Sequence, residues 1–217
     1  MASLEQEKLI AFFLKYKKVS YKKGRTVINS QDPPAGVYYV QKGFVKDYTV
    51  SKDGKCITLI LFKEGDIFPY NWIFNQAPNF HTFESYTDCV LLRASREEFM
   101  QFLLDNPKVL LMVTQKILLR FRGILQRMED LAFGSASERV SSIFAILAER
   151  FGEKHPNGIL ISIPLSHKEI AELVGLTRET ASIEIKKLEN AKLISRRSRS
   201  YLVKKYKTLL KNSPSRT

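Results

Sequence analysis

Two cysteines, Cys56 and Cys89, are all the thiol chemistry in these 217 residues. They are too few for a disulfide framework or a four-ligand zinc site, and reduced thiols in a cytoplasm are their simplest setting. Histidine is equally scarce: His81, His155 and His167 are the only three, and none stands in a metal-ligand spacing. No Ser-His-Asp set and no glycine-rich phosphate loop can be assembled. A small-molecule enzyme is therefore a remote reading, and neither a metal site nor a cofactor is expected. No run of eighteen apolar residues exists, so no membrane partner is expected. The opening "MASLEQEKLIAFFLKYKK" lacks signal-peptide logic and reads as an amphipathic first helix. Internal repeats and low-complexity tracts are missing too.

What is present begins with charge. Lysine and arginine exceed aspartate and glutamate by 13, which favours a polyanionic partner. The surplus is uneven. From Lys186 to Thr217 there are eleven cations against the single acid Glu189. The final "KNSPSRT" is expected to be disordered.

Between about residues 19 and 95 the pattern has period two, broken by turn residues at Gly24, Asp32-Pro33-Pro34, Gly36, Gly43, Asp53-Gly54 and Gly65-Asp66. Asp53-Gly54 is a hairpin signal. Many short strands at this spacing predict a small antiparallel barrel or roll. Asn106-Pro107 then opens a long helix. Leu110, Val113, Ile117, Phe121, Ile124, Met128 and Leu131 form one apolar stripe along it, and Leu111, Leu118 and Leu125 widen that stripe. Such a helix either buries against two things, the strand domain and a copy of itself in a second subunit, or lies as a single helix deep in one core. Arg120 and Arg127 within it argue for partial solvent contact. Gly134-Ser135 breaks the helix and is the best domain boundary. A second helix, "SERVSSIFAILAERF", follows, and Pro156-Asn157-Gly158 turns the chain into the strand "ILISI".

Ser166 and Glu169 form a capping box that starts a short helix. Gly175 ends it, and Thr177 caps the next helix two residues later. Two short helices on a tight glycine turn, with small Ala171 at their crossing, form a helix-turn-helix. In that motif the second helix offers its N-terminal residues to base edges. Arg178 can fork to guanine, Glu179 can accept from cytosine N4, and Thr180 can touch a phosphate or a thymine methyl. "LISRRSRSYLV" reads as two strands around a basic turn, a wing that grips phosphates. The DNA-facing set is Ser166, His167, Thr177, Arg178, Glu179, Thr180, Ser182, Ile183, Lys186, Lys187, Arg196, Arg197 and Arg199. Double-stranded DNA is the expected partner.

The order of roll, long helix, hinge and winged helix-turn-helix resembles the CRP/FNR family of bacterial transcription regulators along essentially the whole chain. "YYVQKGFVKDYTVSKDGKCITLILFKEGDIF" is similar to that family's roll, "NPKVLLMVTQKILLRFRGILQRMEDLAF" to its dimerisation helix, and "HKEIAELVGLTRETA" to its DNA-binding motif. The resemblance implies an α+β fold: a cyclic-nucleotide-binding-like sensor roll over 1–105, a dimerisation helix over 106–133 and a winged helix-turn-helix over 134–217. It also implies a homodimer on a pseudo-palindromic operator that recruits or obstructs RNA polymerase. The seven-residue stripe from Leu110 to Leu131 is the expected dimer interface.

Parts of the family pattern are missing. Cyclic-nucleotide members hold the ribose with a glutamate and the phosphate with an arginine. Here Pro69-Tyr70 and Phe80-His81-Thr82 stand in those places, and Ile124 and Leu125 replace small hydroxyl residues on the long helix, so cAMP is not an expected ligand. The iron–sulfur members' N-terminal cysteines are absent too. The roll instead concentrates Phe68, Tyr70, Trp72, Phe74, Phe80, Phe83 and Tyr86. These either fill the roll themselves or line an apolar effector pocket made of Phe68, Tyr70, Asn71, Trp72, His81, Phe83, Ile124 and Leu125, with Tyr70, Asn71 or His81 fixing the polar end. Haem on His81 is a further alternative. Redox sensing by Cys56 and Cys89 competes with the simpler reading of structural thiols. In the second motif helix Ile183 replaces the family's polar reader and Glu184 occupies an inward position. Either that helix is rotated, or Ile183 meets a thymine methyl and Glu184 pairs with a neighbouring lysine.

Overall fold

The computed structural model describes residues 3–212; Arg216 and most of the predicted loose tail lie outside them. The chain forms two compact units, one of 1–54 and 58–120, the other of 55–57 and 121–217. The division falls inside the long helix.

The first unit opens with helix α1 (Leu4–Phe13), capped by Ser3. Strands β1 (Lys17–Tyr21), β2 (Thr26–Ile28), β3 (Val37–Lys42), β4 (Val45–Val50), β5 (Cys56–Phe62), β6 (Ile67–Phe68), β7 (Thr82–Ser85) and β8 (Cys89–Ala94) follow, with the short helix α2 (Tyr70–Asn75) after β6. They make two four-stranded sheets, ordered β1-β8-β3-β6 and β2-β7-β4-β5. At the β3–β4 turn Gly43 has φ +84, and a Cβ there would lie 2.4 Å from the Asp88 carbonyl oxygen, so only glycine closes it.

Strand β3 explains the architecture. Tyr38 and Val40 point between the sheets, where they join Ile28, Val45, Phe62, Phe68, Phe83 and Leu91. Val37 and Tyr39 point the other way and pack with Leu9, Phe12 and Phe13 of α1, Phe99 and Leu103 of α3 (Arg96–Asp105), and Val109 and Val113 of α4 (Pro107–Phe133). One sheet is thus buried on both faces, and "VYYV" is apolar throughout for that reason.

In the second unit α5 (Ala136–Phe151) starts from a capping box of Ser135 and Glu138. Then come β9 (Gly152–His155), β10 (Gly158–Ile161), α6 (His167–Val174), α7 (Arg178–Asn190), β11 (Ile194–Arg197), β12 (Ser200–Val203) and α8 (Tyr206–Lys211). The four strands form one antiparallel sheet, β11-β12-β10-β9. The C-terminal part of α4 belongs to this unit through polar contacts: Asp130 accepts from Ser142 of α5, and Arg127 donates to the Leu173 carbonyl of α6 at 2.6 Å. The fold is α+β, as the family resemblance implies.

The long helix refines two expectations. Arg120 and Arg127 are each partly exposed, but their guanidinium groups turn inward to acceptors, whereas Arg122 is the arginine of this helix that stands in solvent. The Arg120 side chain is only 9% exposed and pairs with Asp66 at 2.5 Å and with the Tyr70 hydroxyl. Arg127 ends on a buried helix terminus. Burial was affordable because each guanidinium found an acceptor. The predicted interface stripe also separates into two. Val113 is buried in the roll core, with Leu110 and Ile117 packed beside it, so these three face their own domain. Phe121, Ile124 and Met128 are exposed. Leu131 is half-buried and borders a small cavity with Ile143, Leu173 and Val174 of the second unit. Joining Ile117 to Phe121 by a four-residue step crossed from the inner stripe to the outer one. The outer stripe repeats every seven residues: Leu111, Leu118 and Leu125, each followed three residues later by Thr114, Phe121 and Met128.

Candidate nucleic-acid interface

Helix α6 begins where the Ser166 side chain accepts from the Glu169 amide, while the Glu169 carboxylate accepts from the Ser166 amide at 2.6 Å. It stops at Gly175, which is left-handed at φ +65 and meets Leu131: a Cβ there would stand 3.0 Å from Leu131 Cδ2. Thr177 then accepts from the Thr180 amide and begins α7. Ala181, Ile185 and Leu188 are buried and seat this helix on its own unit. Arg178, Glu179, Ile183 and Lys186 are exposed on its other side. The face and the seat are set by one sequence period of 3.6.

Several predicted reader side chains already have partners. Thr180 is half-buried, its hydroxyl 2.9 Å from that of Thr177. Ser182 donates to the Arg178 carbonyl at 2.8 Å and lies 2.7 Å from His167 Nδ1. Glu184 is buried and binds Lys187 Nζ at 2.7 Å, so the inward carboxylate is neutralised within its own helix. Ile183 is 57% exposed. Of the two alternatives left by the sequence, the lysine pairing is the one present here.

The wing is the β11–β12 hairpin, with Arg197 opposite Ser200 and Ser198 in the left-handed region at φ +53. Arg196, Arg197 and Arg199 are exposed on it. The Leu165 amide donates to the Arg199 carbonyl at 2.7 Å, which ties the wing tip to the approach of α6. Arg196 reaches His167 Nε2 at 3.1 Å and Tyr201 Oη at 3.3 Å. Burial and then the Arg196 cation hold His167 below the ordinary imidazole value. Tyr201, fully buried against Phe144, is a contributor that the sequence reading passed over. Its signal is the apolar run "YLV" straight after the basic turn, which buries all three residues and sets one aromatic beside the wing cations.

The roll residues of the predicted effector pocket are distributed over different surroundings. Phe68 stacks on Tyr38 and on Phe83, both at 5.2 Å between ring centres, and all three are buried. Trp72 packs instead against the second core. Asn71 is exposed, and Tyr70 is engaged by Arg120. His81 pairs with buried Asp47 at 3.2 Å, and that hydrogen bond raises its pKa. Ile124 and Leu125 lie in the other unit, partly exposed. Cys89 is buried in the roll core, and burial pushes its thiol up to about 11. Among the described residues, no group of three or more His, Cys, Asp or Glu side chains could hold a metal ion, and no helix is long and apolar enough to cross a membrane.

A roll of two antiparallel sheets, a long helix and a winged helix-turn-helix with a cationic wing define a DNA-binding regulator. Residues 18–106 match the cyclic nucleotide-binding domain and residues 136–211 the Crp-like helix-turn-helix domain. A global nitrogen regulator of Nostoc sp. is 30% identical over 192 residues, which cover 88% of this chain and 86% of that protein. The cAMP-activated global transcriptional regulator CRP of Pasteurella multocida is 26% identical over 185 residues, covering 84% and 88% respectively. FixK2 of Bradyrhizobium japonicum shares the fold with a TM-score of 0.78 at 20% identity, covering 92% of this chain and 98% of that one. The chain belongs to the CRP/FNR family of transcription regulators.

Proposed function

We propose that the chain works as a homodimer on a pseudo-palindromic operator, with the first turn of α7 at base edges and the β11–β12 wing on flanking phosphates. From such an operator it would recruit or obstruct RNA polymerase. One observation carries the reading: α7 buries Ala181, Ile185 and Leu188 while Arg178, Glu179 and Ile183 stand in solvent beside the wing arginines. The outer stripe of α4 supports the dimer. Leu111, Leu118, Phe121 and Met128 are each more than half exposed at coiled-coil spacing, an arrangement that water disfavours.

The test is selection from a pool of random duplexes at two salt concentrations. A two-fold symmetric motif with half-sites about one helical turn apart is the expected result. Arg178→Ala should then relax one base position by about 1–3 kcal/mol. Salt-sensitive binding with no motif would refute base reading by α7.

A second reading concerns the roll. The stacked Tyr38, Phe68 and Phe83 favour a constitutive regulator whose roll is filled by its own side chains over one that takes haem, cAMP or an apolar effector. A ligand of the native roll raises the melting temperature with concentration. Invariant melting across cyclic nucleotides, haem and aromatic acids is the outcome this reading requires.

A further inference from the structure

The three elements of the candidate interface meet at one side chain. His167, at the start of α6, touches Ser182 of α7 through Nδ1 and Arg196 of β11 through Nε2. Arginine carries no acceptor, so Nε2 must be the lone-pair nitrogen. Nδ1 then holds the ring proton and donates it to Ser182 Oγ. Ser182 is free to accept, because its own proton is directed to the Arg178 carbonyl at 2.8 Å. Every donor in this chain has one acceptor, and only one tautomer of a neutral ring satisfies it.

We propose that His167 is a positioning residue that links the wing arginine Arg196 to the reader helix, so that α7 and the wing present themselves to DNA as one unit. The inference rests on the reading of α7 as a base reader and goes beyond it, assigning Arg196 a fixed place relative to Arg178 before DNA arrives. Pre-arrangement of this kind favours the cognate duplex over random DNA, because less ordering remains for the binding step. Arg196 is held from three sides, by His167, by the Tyr201 hydroxyl and by the Ser198 carbonyl at 3.3 Å. An imidazolium cannot accept from a guanidinium, so protonation breaks the link. The charged groups facing the ring are Arg196 of the wing and Arg178 and Glu189 of α7; the two cations favour the neutral ring and Glu189 opposes them.

The test uses the whole protein, and its first readout needs no DNA. Nitrogen-15 spectra of the histidine rings, assigned with His167→Gln, should show Nδ1 protonated and Nε2 bare for His167 at pH 7.5. In Arg196→Ala the ring should lose that fixed tautomer and titrate at higher pH. The second readout is the affinity ratio between the selected operator and random duplex. His167→Ala should lower the ratio roughly tenfold at pH 7.5, the order of one hydrogen bond to a charged group. The wild-type ratio should fall as the pH drops through the imidazole range. In His167→Gln, whose amide oxygen can replace Nε2 as acceptor, the ratio should stay high and flat. Should His167→Ala fail to fold, Arg196→Gln takes its place in the ratio measurement. A ring protonated at Nε2, or a ratio unchanged by the loss of His167 while the wild type prefers its operator, overturns the proposal alone. A wild type with no operator preference overturns the base-reading assignment, and the proposal with it.

Discussion

Arg120 and Arg127 lie seven residues apart on one helix, and each is kept charged inside the protein by a different acceptor. Arg120 faces the Asp66 carboxylate and the Tyr70 hydroxyl, so removing it strands a buried anion. Arg120→Met should cost about 3–5 kcal/mol in urea unfolding, and Asp66→Asn in the same background should recover part of it. Arg127 donates to the Leu173 carbonyl near the C-terminus of α6, and burial lowers its pKa to about 10 against the opposing pull of the Asp130 carboxylate. Arg127→Met should cost about 1–3 kcal/mol or more, because it leaves the Leu173 carbonyl unsatisfied and takes a cation away from buried Asp130. His81 gives a pH signature. Its pKa is raised by Asp47, so its contribution to stability is complete below the ordinary imidazole value. That contribution disappears as the pH climbs through the raised folded value, and His81→Gln should remove this step from a plot of melting temperature against pH. At the same scale Cys89, buried and with its pKa near 11, should stay unlabelled by thiol reagents at pH 8 until the protein is unfolded.

Helix α4 carries the clearest prediction among the elements. Leu118→Glu places a charge in the middle of the outer stripe, and Val113→Ala opens a hole in the inner one. The first should shift the molecular mass by light scattering from dimer to monomer without lowering the monomer's melting temperature. The second should leave the mass unchanged and cost about 0.5–3 kcal/mol of stability. The sequence did not separate these stripes, because apolar residues lie on both sides of the helix and a period of 3.6 drifts against one of 3.5. Elements with local chemistry were more legible. Ser166 with Glu169, Gly175 and Thr177 each state a cap in their own residue type, and each is found at its cap. Asp53-Gly54 announced the β4–β5 connection in the same way. Helices α2, α3 and α8 and strand β9 were not anticipated. The "GEKH" of β9 has no apolar alternation and becomes a strand only by pairing with β10. The roll's two-faced sheet was also hidden, since an all-apolar "VYYV" does not say which face meets helices. Residue pairings such as Arg196 with His167, 29 positions apart, lie beyond what local spacing can express.

Across the whole molecule, charge sets the response to salt. The surplus of 13 positive charges is not confined to the interface: Lys15, Lys17, Lys18 and Arg25 are exposed on the roll as well. Total attraction to DNA will therefore overstate the contacts that matter, and the salt slope is the better measure. Each phosphate neutralised adds about 0.9 to the slope of log K against log salt. The double variant Arg197→Gln and Arg199→Gln should reduce that slope by nearly two while leaving the selected motif intact. The closed aromatic stack of the roll has a different kind of consequence. Trimming Phe83 to alanine would open a ring-sized hole walled by Phe62, Phe68 and Val45, and apolar cavities of that sort stay dry and admit small aromatic guests. If the roll is filled by its own side chains alone, as proposed, the regulator would then stand one substitution away from answering to an added molecule, which makes this roll a starting material for a built chemical switch.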